Sequence, residues 1–145
     1  MGCPVKKAIK SGYGGNLLNE PENLAEIVKT ISKLHNKKFF SVKMRIGFDE
    51  INGIDRAKLI QDNGADIITI HGRTVKQMYS GETNYEEIAK IKESLSIPVL
   101  ANGNIDSYEK AKWVFDYTKC DGVMIGRGAV GNPWIFKEIK EQKTV

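Results

Sequence analysis

The chain has 145 residues, 41% of them apolar and 28% charged, with a net charge of +4. That length supports one ordinary domain with its own core, and the composition excludes collagen-like and low-complexity chains. No apolar run approaches the roughly 20 residues of a membrane-spanning helix, and the two cysteines, Cys3 and Cys120, are too few for a disulfide framework, so the reading is of a cytoplasmic protein.

In chain order, the opening Gly2-Cys3-Pro4 and the later Gly12-Tyr13-Gly14-Gly15 read as a glycine-rich loop. Lys6, Lys7 and Lys10 lie within it, and Lys37 and Lys38 form a second cluster. Both clusters read as solvated faces; the mild charge permits nucleic acid without demanding it. Leu24, Ile27, Val28, Ile31 and Leu34 mark the apolar face of a first helix, opened by Asn19 and Pro21. Phe39 to Ile46 reads as a strand stopped by Gly47. Ile54, Ala57, Leu59 and Ile60 then give a helix ended by Asn63-Gly64. Asp66 to His71 is a second strand, followed by a long loop and a helix on Tyr85, Ile88, Ile91 and Leu95, with Asn84 as its cap. Ile97 to Asn102 is a third strand. The next helix starts at Asp106-Ser107, where Asp106 and Glu109 stand at capping-box spacing, and carries Ala111, Val114 and Phe115. Gly122 to Gly126 is a fourth strand, and Pro133 begins a last helix.

The strands lack clean alternation, which predicts burial on both faces. Their ends at Lys43, His71, Asn102 and Gly126 recur about every 30 residues, the length of one βαβ unit. Four parallel strands alternating with helices fit either a partial TIM (β/α)8 barrel or a small doubly wound sheet. A complete TIM barrel takes about 250 residues, so the barrel reading leaves part of it outside this sequence.

In either architecture ligands sit at the carboxyl ends of the strands, and each strand here ends in residues a core does not choose. Lys43 and Arg45 end the first, His71-Gly72-Arg73 the second, Asn102-Gly103-Asn104 the third and Gly126-Arg127-Gly128 the fourth. The last two offer backbone N–H groups and the Arg127 charge to an anion such as a phosphate; glycines serving only tight turns are the competing explanation. Lys43 can stabilise negative charge in the mouth of the sheet, and His71 can hydrogen-bond the same ligand. Tyr79, in the long loop from Gly72 to Thr83, can stack on a base or simply anchor the loop. Cys3 is a candidate proton donor or nucleophile, whereas Cys120 reads as a small core residue. Metal-ligand spacing is missing, since His35 and His71 stand apart and neither cysteine has a close cysteine partner.

These segments, taken in order, resemble the tRNA-dihydrouridine synthases. The resemblance rests on Gly2-Cys3-Pro4 with Gly12, Gly14, Gly15, Leu17 and Leu18; on Val42-Lys43-Met44-Arg45 with Gly47; on His71-Gly72-Arg73-Thr74; on Asn102-Gly103 with Ile105; and on Met124 to Ala129. Gly131-Asn132-Pro133-Trp134-Ile135-Phe136 resembles the bacterial type. The resemblance implies an FMN enzyme reduced by NADPH that reduces uridines in tRNA. It implies Cys3 as the general acid, and Lys43 and His71 at the flavin ring. Asn102, Gly103, Asn104, Gly126 and Arg127 would then lie at the FMN phosphate, and Arg45 and Tyr79 at the target uracil. It further implies one partial FMN-binding barrel domain over residues 1–145, lacking the family's N-terminal barrel strands and C-terminal helical domain. We expect a truncated product or partial sequence whose exposed sheet edges favour self-association and weak activity alone. Two alternatives stand beside this reading. One is an FMN barrel of dihydroorotate dehydrogenase type, against which the series from His71 to Phe136 argues; the other is an inactive half-barrel acting as a binding or structural piece.

Overall fold

In a computed structural model, which describes residues 1–36 and 38–142, the short β-rich runs form one parallel sheet. Its strands are β1 (Ser41–Arg45), β2 (Ile67–His71), β3 (Val99–Asn102) and β4 (Gly122–Met124), side by side in that order. Parallel neighbours need a crossover connection, and each is supplied by a helix. These are α3 (Gly53–Asp62), α4 (Tyr85–Ser94) and α5 (Tyr108–Thr118). Before the sheet come α1 (Lys6–Lys10), a 3-10 segment at Gly14–Asn19, and α2 (Pro21–Leu34). After it come a 3-10 turn at Arg127–Ala129 and α6 (Ile135–Glu141). This is the alternating α/β pattern of a partial TIM barrel. Among the described residues no helix is long and apolar enough to cross a membrane.

Strand register decides what faces what. Arg45 pairs with His71, His71 with Asn102 and Asn102 with Met124, and one layer below Lys43 pairs with Thr69 and Thr69 with Leu100. Paired residues of parallel strands share a face, and successive residues alternate between faces. One face therefore carries Val42, Met44, Ile68, Ile70, Val99 and Ala101, all buried. They pack with Leu24, Val28, Ala57, Ile60, Ile88, Ile91 and Val114 from the surrounding helices, and this layer is the core. Full burial of such aliphatic side chains contributes about 1.5–3 kcal/mol each.

The other face carries Lys43, Arg45, Thr69, His71, Leu100, Asn102 and Met124. The expected burial on both faces holds only in part, because Ser41 and Lys43 are exposed and all of β4 is half-buried. Exposure alternates along β1 and β3 because the helices cover one face and no described element covers the whole of the other. Among the described residues, β1 and β4 are the sheet's two edges.

Local signals set most helix boundaries. Pro21 opens α2, where the N–H that proline lacks would have no intrahelical partner. The Asn84 side chain accepts the Glu87 N–H at 2.9 Å and caps α4 as expected. The cap of α5 differs from expectation: Ser107, not Asp106, accepts the Lys110 N–H, at 3.0 Å. Extended backbone at Ser107 aims its short hydroxyl back over the first turn. The apolar stripe of α2 outruns the sheet, so Leu24 and Val28 are buried while Ile31 and Leu34 are exposed. Phe39 and Phe40 precede β1 rather than belong to it, and Lys37 lies outside the described residues.

Candidate functional site

Beyond the row of Arg45, His71, Asn102 and Met124, the loops leaving the strands rim a cleft of about 730 Å³. Cys3, Lys43, Arg45, His71, Tyr79, Asn102, Gly103, Asn104, Gly126 and Arg127 all line it. Every residue singled out as a candidate from the sequence is thus brought to one concavity. Residues 60 or more positions apart in sequence meet there because parallel strands deliver all their carboxyl ends to one rim.

The N-terminal wall is built on glycine. The Gly15 N–H donates to the Cys3 carbonyl at 3.0 Å, and a Cβ on Gly14 would lie 2.9 Å from that of Cys3. Gly14 also holds a φ of +60°, so this close approach needs a residue without a side chain. Cys3 itself is exposed at the cleft.

Arg45 anchors this wall to the rest of the rim. Its Nε donates to the Gly2 carbonyl at 3.0 Å, and its Nη1 donates to the carbonyls of Thr74 and Met78, each at 2.7 Å. The side chain is fully buried. Charge-assisted hydrogen bonds to three carbonyls fix the Cys3 loop against the loop after β2.

His71 stands beside a second buried arginine. Arg73 donates to the Gly81 carbonyl through Nε at 3.2 Å and Nη2 at 2.7 Å, which closes the long loop on itself. Its Nη1 lies 3.4 Å from His71 Nε2 and 3.4 Å from Asn104 Oδ1. A guanidinium only donates, so Nε2 accepts and the imidazole proton is assigned to Nδ1. Burial, then the charges of Arg45, Lys43, Arg73 and Arg127, push the His71 pKa down to about 3. The ring is neutral at physiological pH. Lys43 projects from the open face, where desolvation first and the Arg45 charge second lower its pKa.

The opposite rim is made of the loops after β3 and β4. The Asn102 side-chain amide donates to the Met124 carbonyl at 2.7 Å and joins the two strand ends. Gly103 and Asn104 follow with φ of +126° and +47°. A Cβ on Gly103 would meet Thr83 at 2.9 Å and His71 at 3.0 Å. A Cβ on Gly126, by contrast, would meet nothing within 4 Å, so its backbone is open to a ligand. The Arg127 guanidinium lies 4.5 Å from the Tyr79 ring centroid and that of Arg45 lies 5.6 Å from it. The residue expected at the phosphate and the one expected at the uracil thus touch across the mouth. Among the described residues, the charged side chains lining the cleft are Lys43, Arg45, Arg127 and one carboxylate, Asp106. That balance suits an anionic ligand.

The family model described as Dihydrouridine synthase (Dus) matches residues 1–145. The chain belongs to the dihydrouridine synthase family. The tRNA-dihydrouridine synthase B of Vibrio parahaemolyticus is 47% identical over 141 residues, covering 96% of this chain and 44% of that protein. The proteins of the same name from Pasteurella multocida and Pseudomonas aeruginosa are each 44% identical, over 94% and 96% of this chain and 42% of their own lengths. The chain spans less than half the length of these curated relatives.

In this dihydrouridine synthase chain, the motifs from Val42 to Gly47, His71 to Thr74, Asn102 to Ile105 and Met124 to Ala129 all fall on one rim. The sequence assigned no role at the site to Arg73, Tyr85, Met124 or Asp106. An arginine two residues beyond a strand-end histidine was the available signal for Arg73; the Tyr85 contact depends on a register that only the fold supplies.

Proposed function

We propose that this chain is part of an FMN-dependent enzyme that reduces uridines in tRNA to 5,6-dihydrouridine, with NADPH as reductant. The observation that carries this reading is the convergence of ten candidate residues on one cationic cleft. FMN, when bound, would supply the hydride, with NADPH as the source of reducing equivalents. Asn102, Gly103, Asn104, Gly126 and Arg127 hold its phosphate through backbone N–H groups and one guanidinium. Lys43 places a cation beside the ring system, where negative charge gathers on reduction. The neutral His71 offers Nδ1–H as a donor to the same ring.

Reduction of uracil adds a hydride at C6 and a proton at C5. Cys3, exposed on its loop, donates that proton from its thiol and recovers one from solvent. Tyr79 and Arg45 hold the uracil, which must leave the tRNA stack to bring its C5–C6 bond into the cleft. Location in the cytoplasm and a single partial barrel domain over residues 1–145 belong to the same proposal. The chain alone, with edges at β1 and β4, is expected to self-associate and to turn over poorly. A monodisperse monomer in sedimentation velocity would contradict that expectation.

The test places this chain into the Vibrio parahaemolyticus relative in exchange for its matching segment. The chimera should form dihydrouridine in unmodified tRNA with FMN and NADPH, measured by nucleoside mass spectrometry. Cys3→Ala should abolish product while flavin stays bound. Undiminished product from Cys3→Ala would remove the proton-donor assignment, and a soluble, flavin-loaded chimera without product would remove the function.

A further inference from the structure

Tyr85 is the first residue of α4, outside the cleft, yet its hydroxyl donates to the carbonyl of Gly103 on the rim. The side chain is 7% exposed. Two neighbours hold the ring in place. Trp113 meets it edge-on, with centroids 5.3 Å apart and planes at 82°. Lys110 Nζ lies 4.8 Å from its centroid and 4.2 Å from that of Trp113. Both belong to the first turns of α5, so the phenol is wedged between the two helices that flank β3. Burial pushes the Tyr85 pKa up to about 12, which keeps the hydroxyl a donor at every physiological pH.

The consequence lies in the peptide that follows Gly103. That peptide is trans, so its C=O and N–H point in opposite directions. Tyr85 draws the Gly103 carbonyl toward the helices, which turns the Asn104 N–H the other way, to the side on which Gly103 and Asn104 line the cleft. Gly103, at a φ of +126°, has alternative backbone conformations available, so the loop does not hold this orientation by itself. Arg73, at 3.4 Å from Asn104 Oδ1, holds the other side of the same turn. We infer that Tyr85 is a positioning residue for the phosphate-binding loop, fixing the Gly103–Asn104 peptide so that its N–H faces the phosphate of the flavin nucleotide. This rests on the reading that the loops after β3 and β4 hold that phosphate.

The experiment compares wild type, Tyr85→Phe and Arg127→Ala by titration with FMN and with riboflavin, which has the same ring system and no phosphate. Flavin fluorescence reports binding. Amide hydrogen exchange across residues 103–105 is followed in the ligand-free chain. Tyr85→Phe keeps the ring and loses only the hydroxyl. It should raise the Kd for FMN about three- to tenfold, the effect of one hydrogen bond, and leave riboflavin within about twofold. Exchange at residues 103–105 should accelerate at the same time.

Equal weakening for both ligands, no weakening for FMN, or unaltered exchange would each overturn the proposal. Arg127→Ala should also weaken FMN selectively. If it does and Tyr85→Phe does not, the phosphate reading stands and the role of Tyr85 falls. If neither variant separates the two ligands, or wild type prefers riboflavin or binds neither, the phosphate reading itself falls, and this inference with it.

Discussion

Lowering the pH should destabilise this chain through His71. The ring is 8% exposed and surrounded by Arg45, Lys43, Arg73 and Arg127, and its pKa falls from 6.5 to about 3. Because the folded value lies below the unfolded one, the unfolded chain takes up a proton first as pH falls. The stability owed to the neutral ring is complete above about pH 6.5 and is lost progressively from there toward about pH 3. At about pH 5 the gap from the unfolded value is about 1.5 pH units, which at ~1.4 kcal/mol per unit gives a loss of about 2 kcal/mol. Any folded value below about 4 gives the same loss at that pH, so the figure does not hinge on the depth of the shift.

The perturbation is His71→Gln, which keeps an acceptor for Arg73 and cannot gain a proton in this range. Urea unfolding of wild type and variant at about pH 7.5 and pH 5 gives a double difference in which all other titrating groups cancel. The chain has two histidines, so proton NMR of the imidazoles resolves His71 from His35 directly. Wild type should lose about 2 kcal/mol more than the variant, and the His71 resonance should not titrate between about pH 7.5 and pH 5. A His71 resonance titrating near 6, or equal losses in both proteins, would refute the reasoning.

Three further outcomes follow from the packing. Ser107→Ala should lower stability by about 1 kcal/mol, since the Lys110 N–H loses its cap, whereas Asp106→Ala should cost clearly less; equal effects in urea titration would contradict the assignment. Ile91→Ala, at a fully buried position in α4, should cost about 2–5 kcal/mol by the same measurement, and a loss under about 1 kcal/mol would mean that this layer is not the core. Arg45→Met strips the donor from the carbonyls of Gly2, Thr74 and Met78 and should cost at least about 3 kcal/mol. It should also speed iodoacetamide labelling of Cys3 relative to buried Cys120, and an unchanged ratio would show that Arg45 does not hold the Cys3 loop.

Much of the site was legible because strand ends carry polar residues that a core rejects. Lys43, His71, Asn102 and Gly126 stand about 30 residues apart, and a parallel sheet brings all such ends to one rim. Cofactor and substrate roles came from the family resemblance rather than from this geometry. What stayed hidden depends on contacts between distant segments. Arg45 reads in the sequence as a strand-end cation, yet its Nε and Nη1 are taken by carbonyls 29 to 43 residues away. Asp106 and Glu109 have capping-box spacing, but the backbone conformation at Ser107 decides the cap. Phe115 matches the apolar stripe of α5 and is nonetheless 46% exposed, because it sits at the margin between α5 and α6 where little covers it. The glycine-rich opening concealed a short helix and a 3-10 segment, whose few turns leave no periodic signal.

The central claim is that the rim cleft is a flavin nucleotide site with its phosphate at the loops after β3 and β4. Backbone NMR of the chain titrated with FMN tests it most directly. Amide shifts should concentrate at Gly103, Asn104, Gly126, Arg127 and His71, with the largest changes at the two glycine loops. Shifts centred instead on the groove between α5 and α6, around Tyr108, Phe115 and Ile139, or no shifts at all, would contradict it.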